Sequence, residues 1–264
     1  MQYRMGKWYQ YILFSSDPLT SGVIPHTRVY NAENLLDFLK LYETVYIKHD
    51  RGGQGKGIYK VYKEENGRYC LNGFTPKGEE LKISIATIED FKPETYPYMG
   101  FGGLLDRTYI VQEGINSSTL HGMPLAVRVH VQLLNGEWGV SGMYGKVASA
   151  RTYENGIVNA NQGSQVMTIS ELLSIHLGLD NEDTSRLIES IEEIALTAAK
   201  LVSKEFPRLE YGIDFGIDAN ANPVLFEVNT YPGIGNFAKI ENKRILNKIR
   251  AIRKLQQEEK NNPK

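Results

Sequence analysis

The stretch YGIDFGIDANANPVLFEVN, residues 211–229, constrains the fold of this chain more than any other. Ile213, Phe215 and Ile217 alternate with Asp214, Gly216 and Asp218, while Val224, Phe226 and Val228 alternate with Leu225, Glu227 and Asn229. Side chains in a strand point to opposite faces with period two, so the pattern predicts two strands, with Glu227 and Asn229 on one face. The polar run between them is a turn. With residues 219–222 as the loop, position 218 pairs with 223 and, counting back, 214 pairs with 227. Asp214 and Glu227 then lie opposite each other, with Cβ atoms about 4.5–5.5 Å apart. Two carboxylates so placed repel unless something cationic sits between them, and a hard divalent ion would remove the repulsion. A solvent-facing acidic hairpin in another register is the other reading, and both stay open on this stretch alone. An EF-hand is excluded, because Pro223 takes the position that needs a glycine and Glu227 comes two positions early.

Glycine marks a second region. In YIKHDRGGQGKGIYKV, Lys48 ends one strand, Gly52, Gly53, Gln54, Gly55 and Gly57 follow, and a new strand begins directly. Such a backbone can approach phosphates closely with its N–H groups. It is not a Walker A loop, since Gly55-Lys56 is followed by glycine and no helix comes next. The Rossmann pattern also needs a helix at this point. A kinase glycine loop lies between strands, and Asp214-Phe215-Gly216 spells DFG, but the lysine is on the wrong strand and the catalytic-loop sequence is missing.

The remaining segments mix helices and strands. NAENLLDFLKLY (31–42) has helical spacing and Asn31 as N-cap. Strands are expected over 44–50, 58–64, 108–115, 125–134 and 137–148, the last two joined by a turn at Asn135-Gly136. A short helix ends at Gly178, the longest helix spans 183–206, and a basic amphipathic helix with a polar tail closes the chain. No regular βαβ alternation is present, which predicts an α+β fold with antiparallel sheets.

The chain has 264 residues, 41% hydrophobic and 23% charged, enough for one large domain or two lobes with real cores. A net charge of −1 gives no field for nucleic acid. One cysteine, Cys70, rules out an internal disulfide and a cysteine-built zinc site. The five histidines lack metal-ligand spacing, and no serine-hydrolase motif occurs. No apolar run reaches membrane-spanning length and the first residues do not read as a signal peptide, so the expected setting is the cytoplasm, without membrane or nucleic-acid partners.

The order of these features resembles the ATP-grasp superfamily: a strand-ending lysine, a glycine hairpin, a mid-chain strand with QEGI, an arginine on a strand, then D-x12-E-x-N followed by TYPG. More narrowly, GKWYQYILFSSDPLTSGVIPHTRVY and YIVQEGINSSTLHGMPLAVRVHVQLLNGEWGVSGMYGKVA are similar to segments of the YheC/YheD family of endospore coat-associated ATP-grasp proteins. The resemblance runs from Lys7 to about Gly233. It implies two α+β lobes with ATP between them: 1–112 with the glycine flap, 113–255 with a magnesium hairpin, and 256–264 as a polar tail. By the same resemblance Lys7 and Lys48 contact ATP phosphates, and residues 52–57 fold over them. The backbone of Gln112, Glu113, Gly114 and Ile115 reads adenine. Arg128 stabilises the transferred phosphate, and Lys146 stands where relatives carry a second arginine. Asp214, Glu227 and Asn229 hold Mg2+. The implied activity is ATP-dependent carboxylate–amine ligation through an acylphosphate, on small-molecule or peptide substrates, with spore coat proteins as partners. Ala126, where relatives have aspartate, and Ser164, where a glycine is expected, both border the implied acceptor side, so the resemblance supports ATP binding better than a particular ligation. Ala126 and the expected lack of the α/β domain that precedes this point in many relatives favour the alternative of a non-catalytic nucleotide-binding protein of the endospore, while the complete metal set favours catalysis.

Overall fold

The structure is a computed structural model, and it describes residues 5–91 and 108–261. Two antiparallel sheets face each other across a cleft. The first is formed by β1 (Thr27–Val29), β2 (Thr44–His49), β3 (Ile58–Lys63), β4 (Tyr69–Phe74), β5 (Glu80–Ile85) and β6 (Tyr109–Glu113), in the order β1-β6-β2-β3-β4-β5. The second is formed by β7 (Leu125–Leu134), β8 (Glu137–Val147), β9 (Gln165–Met167), β10 (Glu210–Ile217) and β11 (Pro223–Asn229), in the order β11-β10-β7-β8-β9. This is the expected α+β arrangement, with β11 at an edge and with the helices α1 (Lys7–Ser15), α2 (Pro18–Ser21), α3 (Ala32–Leu41), α4 (Ile169–Glu171), α5 (Asn181–Glu205) and α6 (Arg244–Asn261). The β4–β5 hairpin is not among the strands expected from the sequence, although Glu80, Lys82 and Ser84 alternate with Leu81, Ile83 and Ile85 along β5, which lies on the sheet edge.

The first sheet packs on α3 (Ala32–Leu41), whose Leu35 and Phe38 meet Val45, Ile47, Tyr59 and Val61. Asn31 caps α3 as expected, accepting from the Asn34 N–H at 2.7 Å. In the second sheet Val127, Val129, Val131, Ile213 and Phe215 pack on α5 (Asn181–Glu205) through Ile191, Ile194, Ala195, Ala198 and Val202. The β7–β8 turn is tight because Asn135 and Gly136 both take positive φ, 51° and 78°.

Two helices differ from expectation. The first helix, α1 (Lys7–Ser15), is not marked by sequence periodicity, and Met5 and Phe14 enter the core of the second sheet, whereas the sequence resemblance places residues 1–112 in the first lobe. The polar tail expected from residue 256 is, as far as Asn261, the end of α6 (Arg244–Asn261). Gln256 is buried there and donates to the Leu133 and Leu209 carbonyls at 2.8 and 2.9 Å. Residues 1–4 and 262–264 of the expected termini lie outside the described residues.

Candidate functional site

The facing carboxylates anticipated from the hairpin are present: Asp214 and Glu227 are paired in register across β10 and β11. The route differs from simple counting. Near the turn the partner of Pro223 is Ile217, one step from the expected Asp218, and a bulge at Phe226 restores the register. The bulge turns Leu225 and Val228 into the core and leaves Phe226 and Glu227 at the cleft, so the strict alternation read for 224–229 is broken at this point.

The cleft has a volume of about 900 Å³ and is lined from both sheets. All fifteen candidate site residues line it: Lys7, Lys48, Gly52, Gly53, Gln54, Gly55, Gln112, Glu113, Gly114, Ile115, Arg128, Lys146, Asp214, Glu227 and Asn229.

On its floor stands a charge cluster. Arg128 on β7 binds Asp214 through two parallel hydrogen bonds, Nε to Oδ1 at 2.9 Å and a terminal nitrogen to Oδ2 at 2.6 Å. Lys146 on β8 adds a bond to Oδ1 at 3.1 Å, and the Asn229 amide donates to Oδ2 at 3.0 Å. Neighbouring strand positions explain the meeting, since Asp214 pairs with Arg128 in the sheet. Burial alone would raise the Asp214 pKa, but Arg128 and Lys146 outweigh it and hold the group at about 2. Burial likewise opposes the Arg128 charge, and Asp214 more than restores it. Gly212 leaves room for the guanidinium, because a Cβ there would lie 2.7 Å from it.

At the mouth, Lys7 bridges the two sides. Its ammonium donates to the Gly52 carbonyl at 2.7 Å and pairs with Glu227 at 3.1 Å. The glycine loop takes the left-handed conformation at Gln54, Gly55 and Gly57. A Cβ on Gly55 would meet Ile157 at 3.0 Å, so the loop leans on a segment of the other side of the cleft.

Lys48 lies deeper. It donates to the Gln112 side-chain oxygen, and its ammonium sits 5.1 Å from the Tyr46 ring and 5.7 Å from the Phe226 ring. Burial, helped by Lys7 and opposed by Glu227, holds its pKa down at about 8. Gln112 in turn donates to Thr27 at 2.9 Å. The Glu113 carboxylate accepts from the His26 N–H at 2.9 Å, so it holds the chain at β1, while its backbone stays on the cleft. Gly114 is forced to be glycine, since a Cβ would sit 2.5 Å from the Thr44 carbonyl.

Ala126 is buried opposite Lys146 in the sheet, and Ser164 is buried with its hydroxyl lacking a partner among the described residues. Sequence reasoning missed Gln10, Tyr46, Tyr144 and Phe226 as cleft residues. Tyr46 shares its strand face with Lys48 by period two, which was a usable signal. Phe226 was hidden by the bulge, and Gln10 by its distance in sequence from the hairpin it touches.

Comparison with known proteins gives a consistent picture. A family model described as YheC/D like ATP-grasp matches residues 2–260. The endospore coat-associated protein YheD of Bacillus subtilis (strain 168) is 25% identical over 239 residues, 88% of this chain and 49% of that protein. The chain thus spans about half the length of that curated relative. Among solved structures, the D-cycloserine synthetase DcsG matches with a TM-score of 0.55 at 12% identity, covering 95% of this chain and 70% of its own. A biotin carboxylase from Campylobacter jejuni matches with 0.54 at 15%, covering 94% and 46%. The VanG D-Ala:D-Ser ligase from Enterococcus faecalis matches with 0.52 at 19%, covering 94% and 61%. These likenesses establish the ATP-grasp fold.

Proposed function

The chain belongs to the YheC/D-like ATP-grasp family, and from that premise we propose that it binds ATP with magnesium in the cleft and activates a carboxylate for attack by an amine. The observation that carries this reading is the convergence of Lys7, Lys48, Arg128 and Lys146, the glycine loop and Glu227 on one cavity between two sheets. These four cations suit a polyphosphate, and a closing glycine loop suits exclusion of water. The Gln112–Ile115 backbone would meet adenine, with Lys48 and Lys7 on the phosphates.

Magnesium fits the donor set. Glu227 spends one oxygen on Lys7 and Asn229 donates its amide N–H to Asp214, which leaves the amide oxygen of Asn229 for a hard cation. The two Asp214 oxygens already accept four hydrogen bonds, so Asp214 would join the ion only as Arg128 or Lys146 turns toward the phosphates. Bound magnesium supplies neutralisation of phosphate charge.

In the proposed reaction an acceptor carboxylate oxygen attacks the γ-phosphorus, the bond to the ADP oxygen breaks, and an acylphosphate forms. An amine nitrogen then attacks the acyl carbon, inorganic phosphate leaves, and the amine gives up a proton. Arg128 and Lys146 stand where charge on the phosphoryl oxygens could be met. Acceptor and donor are small-molecule or peptide carboxylates and amines. The name of the Bacillus subtilis relative supports association with the spore coat. Among the described residues no helix is long and apolar enough to cross a membrane.

Ala126 favours a second reading, a nucleotide binder without turnover, because a buried methyl faces Lys146 where a carboxylate could stand. Two measurements decide. Millimolar MgATP raises the melting temperature of the wild type and less so that of Lys48→Ala, since a ligand of the folded state stabilises it by mass action. No shift for the wild type counts against the assignment. A screen of amino acids, small peptides and coat or peptidoglycan fragments for stimulated ADP release then separates ligase from binder.

A further inference from the structure

An edge strand exposes a row of unpaired N–H and C=O groups, and β11 is such an edge. At Val228 this edge is closed by a side chain. The Gln10 oxygen accepts from the Val228 N–H at 2.7 Å, and the Gln10 amide nitrogen donates to the Val228 carbonyl at 3.2 Å. A primary amide offers one acceptor and one donor side by side, so Gln10 satisfies Val228 much as a neighbouring strand would. Val228 lies between Glu227 and Asn229, the residues proposed to hold magnesium.

Gln10 is itself buried, on the face of α1 that also carries Lys7 and Phe14. That helix is anchored at its start. The Lys7 N–H donates to the Asp50 carbonyl at 3.1 Å and the Trp8 N–H to the Asp50 carboxylate at 2.8 Å. Gly6 lets Asp50 come this close, since a Cβ there would lie 2.1 Å from its carboxylate. One short helix is therefore tied at one end to the turn before the glycine loop and, one turn later, to the backbone between two cleft ligands.

We propose that Gln10 is a positioning residue for the metal: it fixes the β11 backbone so that Glu227 and Asn229 present their oxygens together. This rests on the nucleotide–magnesium reading of the cleft. Groups that orient metal ligands typically change metal affinity by about 10- to 100-fold when removed.

The test measures binding of a fluorescent ATP analogue to the full chain with magnesium and with EDTA, and takes the ratio of the two affinities. Gln10→Met keeps the length and removes both hydrogen bonds, and it is expected to lower that ratio by about tenfold or more. Hydrogen exchange of the Val228 amide should quicken in the same variant. Phe14→Leu trims the same helix face in the core without touching β11, and should lower the melting temperature with the ratio intact. Gln10→Leu also removes both hydrogen bonds from a side chain of similar size and should match Gln10→Met; it serves if Gln10→Met does not fold. An unchanged ratio in the Gln10 variants, with magnesium-dependent binding in the wild type, overturns the role of Gln10 alone. A wild type that binds no nucleotide under either condition overturns both this proposal and the reading of the cleft.

Discussion

Asp214 and Glu227 face each other across two strands, yet they live in different surroundings. Asp214, on the floor, is gripped by Arg128, Lys146 and Asn229, and its side chain is 14% exposed. Glu227, at the mouth, pairs among the described residues with Lys7 alone and is 24% exposed. The repulsion expected between them is met by protein cations on both sides, but the consequences differ. The floor is a finished network whose charges depend on one another. The mouth is a single pair in partial contact with water, open to exchange one cation for another. The first should govern stability and the second should govern ligand response.

The largest expected effect breaks the floor. Asp214→Ala leaves Arg128 and Lys146 without their counter-charge, and breaking a buried pair from one side costs about 3–5 kcal/mol. Denaturant unfolding of the apo protein measures it. A loss under about 1 kcal/mol would show that the cluster is as loose as the mouth.

Arg128→Ala tests the floor in turnover. If the arginine meets the phosphoryl group in transit, ADP formation should fall by about 10²-fold, comparable to losing one oxyanion donor, with a small change in ATP affinity. Steady-state kinetics on whichever acceptor stimulates ADP release reads this. An equal loss in affinity and rate would place the guanidinium on the ground-state nucleotide instead.

Lys48 sits between the two regions and predicts opposite responses to pH. Its folded pKa of about 8 lies below the 10.5 of an ordinary lysine. Between these values the unfolded chain binds more protons than the folded one, so this group makes stability rise with pH there. Phosphate binding needs the ammonium, so nucleotide affinity should fall over the same window, by up to about tenfold per pH unit. Lys48→Arg, which stays charged, should flatten both trends. Thermal unfolding and nucleotide titrations at several pH values check the pair. Parallel trends would remove Lys48 from the phosphates.

The smallest stability effect belongs to the mouth. Glu227→Gln should change apo stability by less than about 1 kcal/mol, as partly exposed ion pairs do, while weakening the magnesium dependence of ATP binding. An apo protein that unfolds on this change, with MgATP affinity intact, would make Glu227 structural.

Much of this was legible in the chain because local rules carried it. Period two placed β7, β8, β10 and β11, Asn31 announced its helix, and Asn135-Gly136 announced its turn. Those signals act between near neighbours, so they survive without knowledge of the fold. The pairing of Asp214 with Glu227 also followed from register, although the bulge at Phe226 was needed to make it true. The α1 helix escaped because it buries only Gln10 and Phe14, whereas β5 carried a usable period-two signal in Leu81, Ile83 and Ile85.

By itself the sequence determined which residues can carry charge, metal or phosphate, and on which strand faces they fall, since those depend on residue type and backbone period. Only the tertiary structure decided their partners. That Arg128 and Lys146 saturate Asp214, that Lys7 crosses to Glu227 and that Gln10 closes the edge at Val228 join positions far apart in the sequence, the last two from near opposite ends of the chain. No local rule reaches that far, because such contacts are set by how two sheets and a helix settle together to bury apolar surface and leave few buried polar groups unpaired.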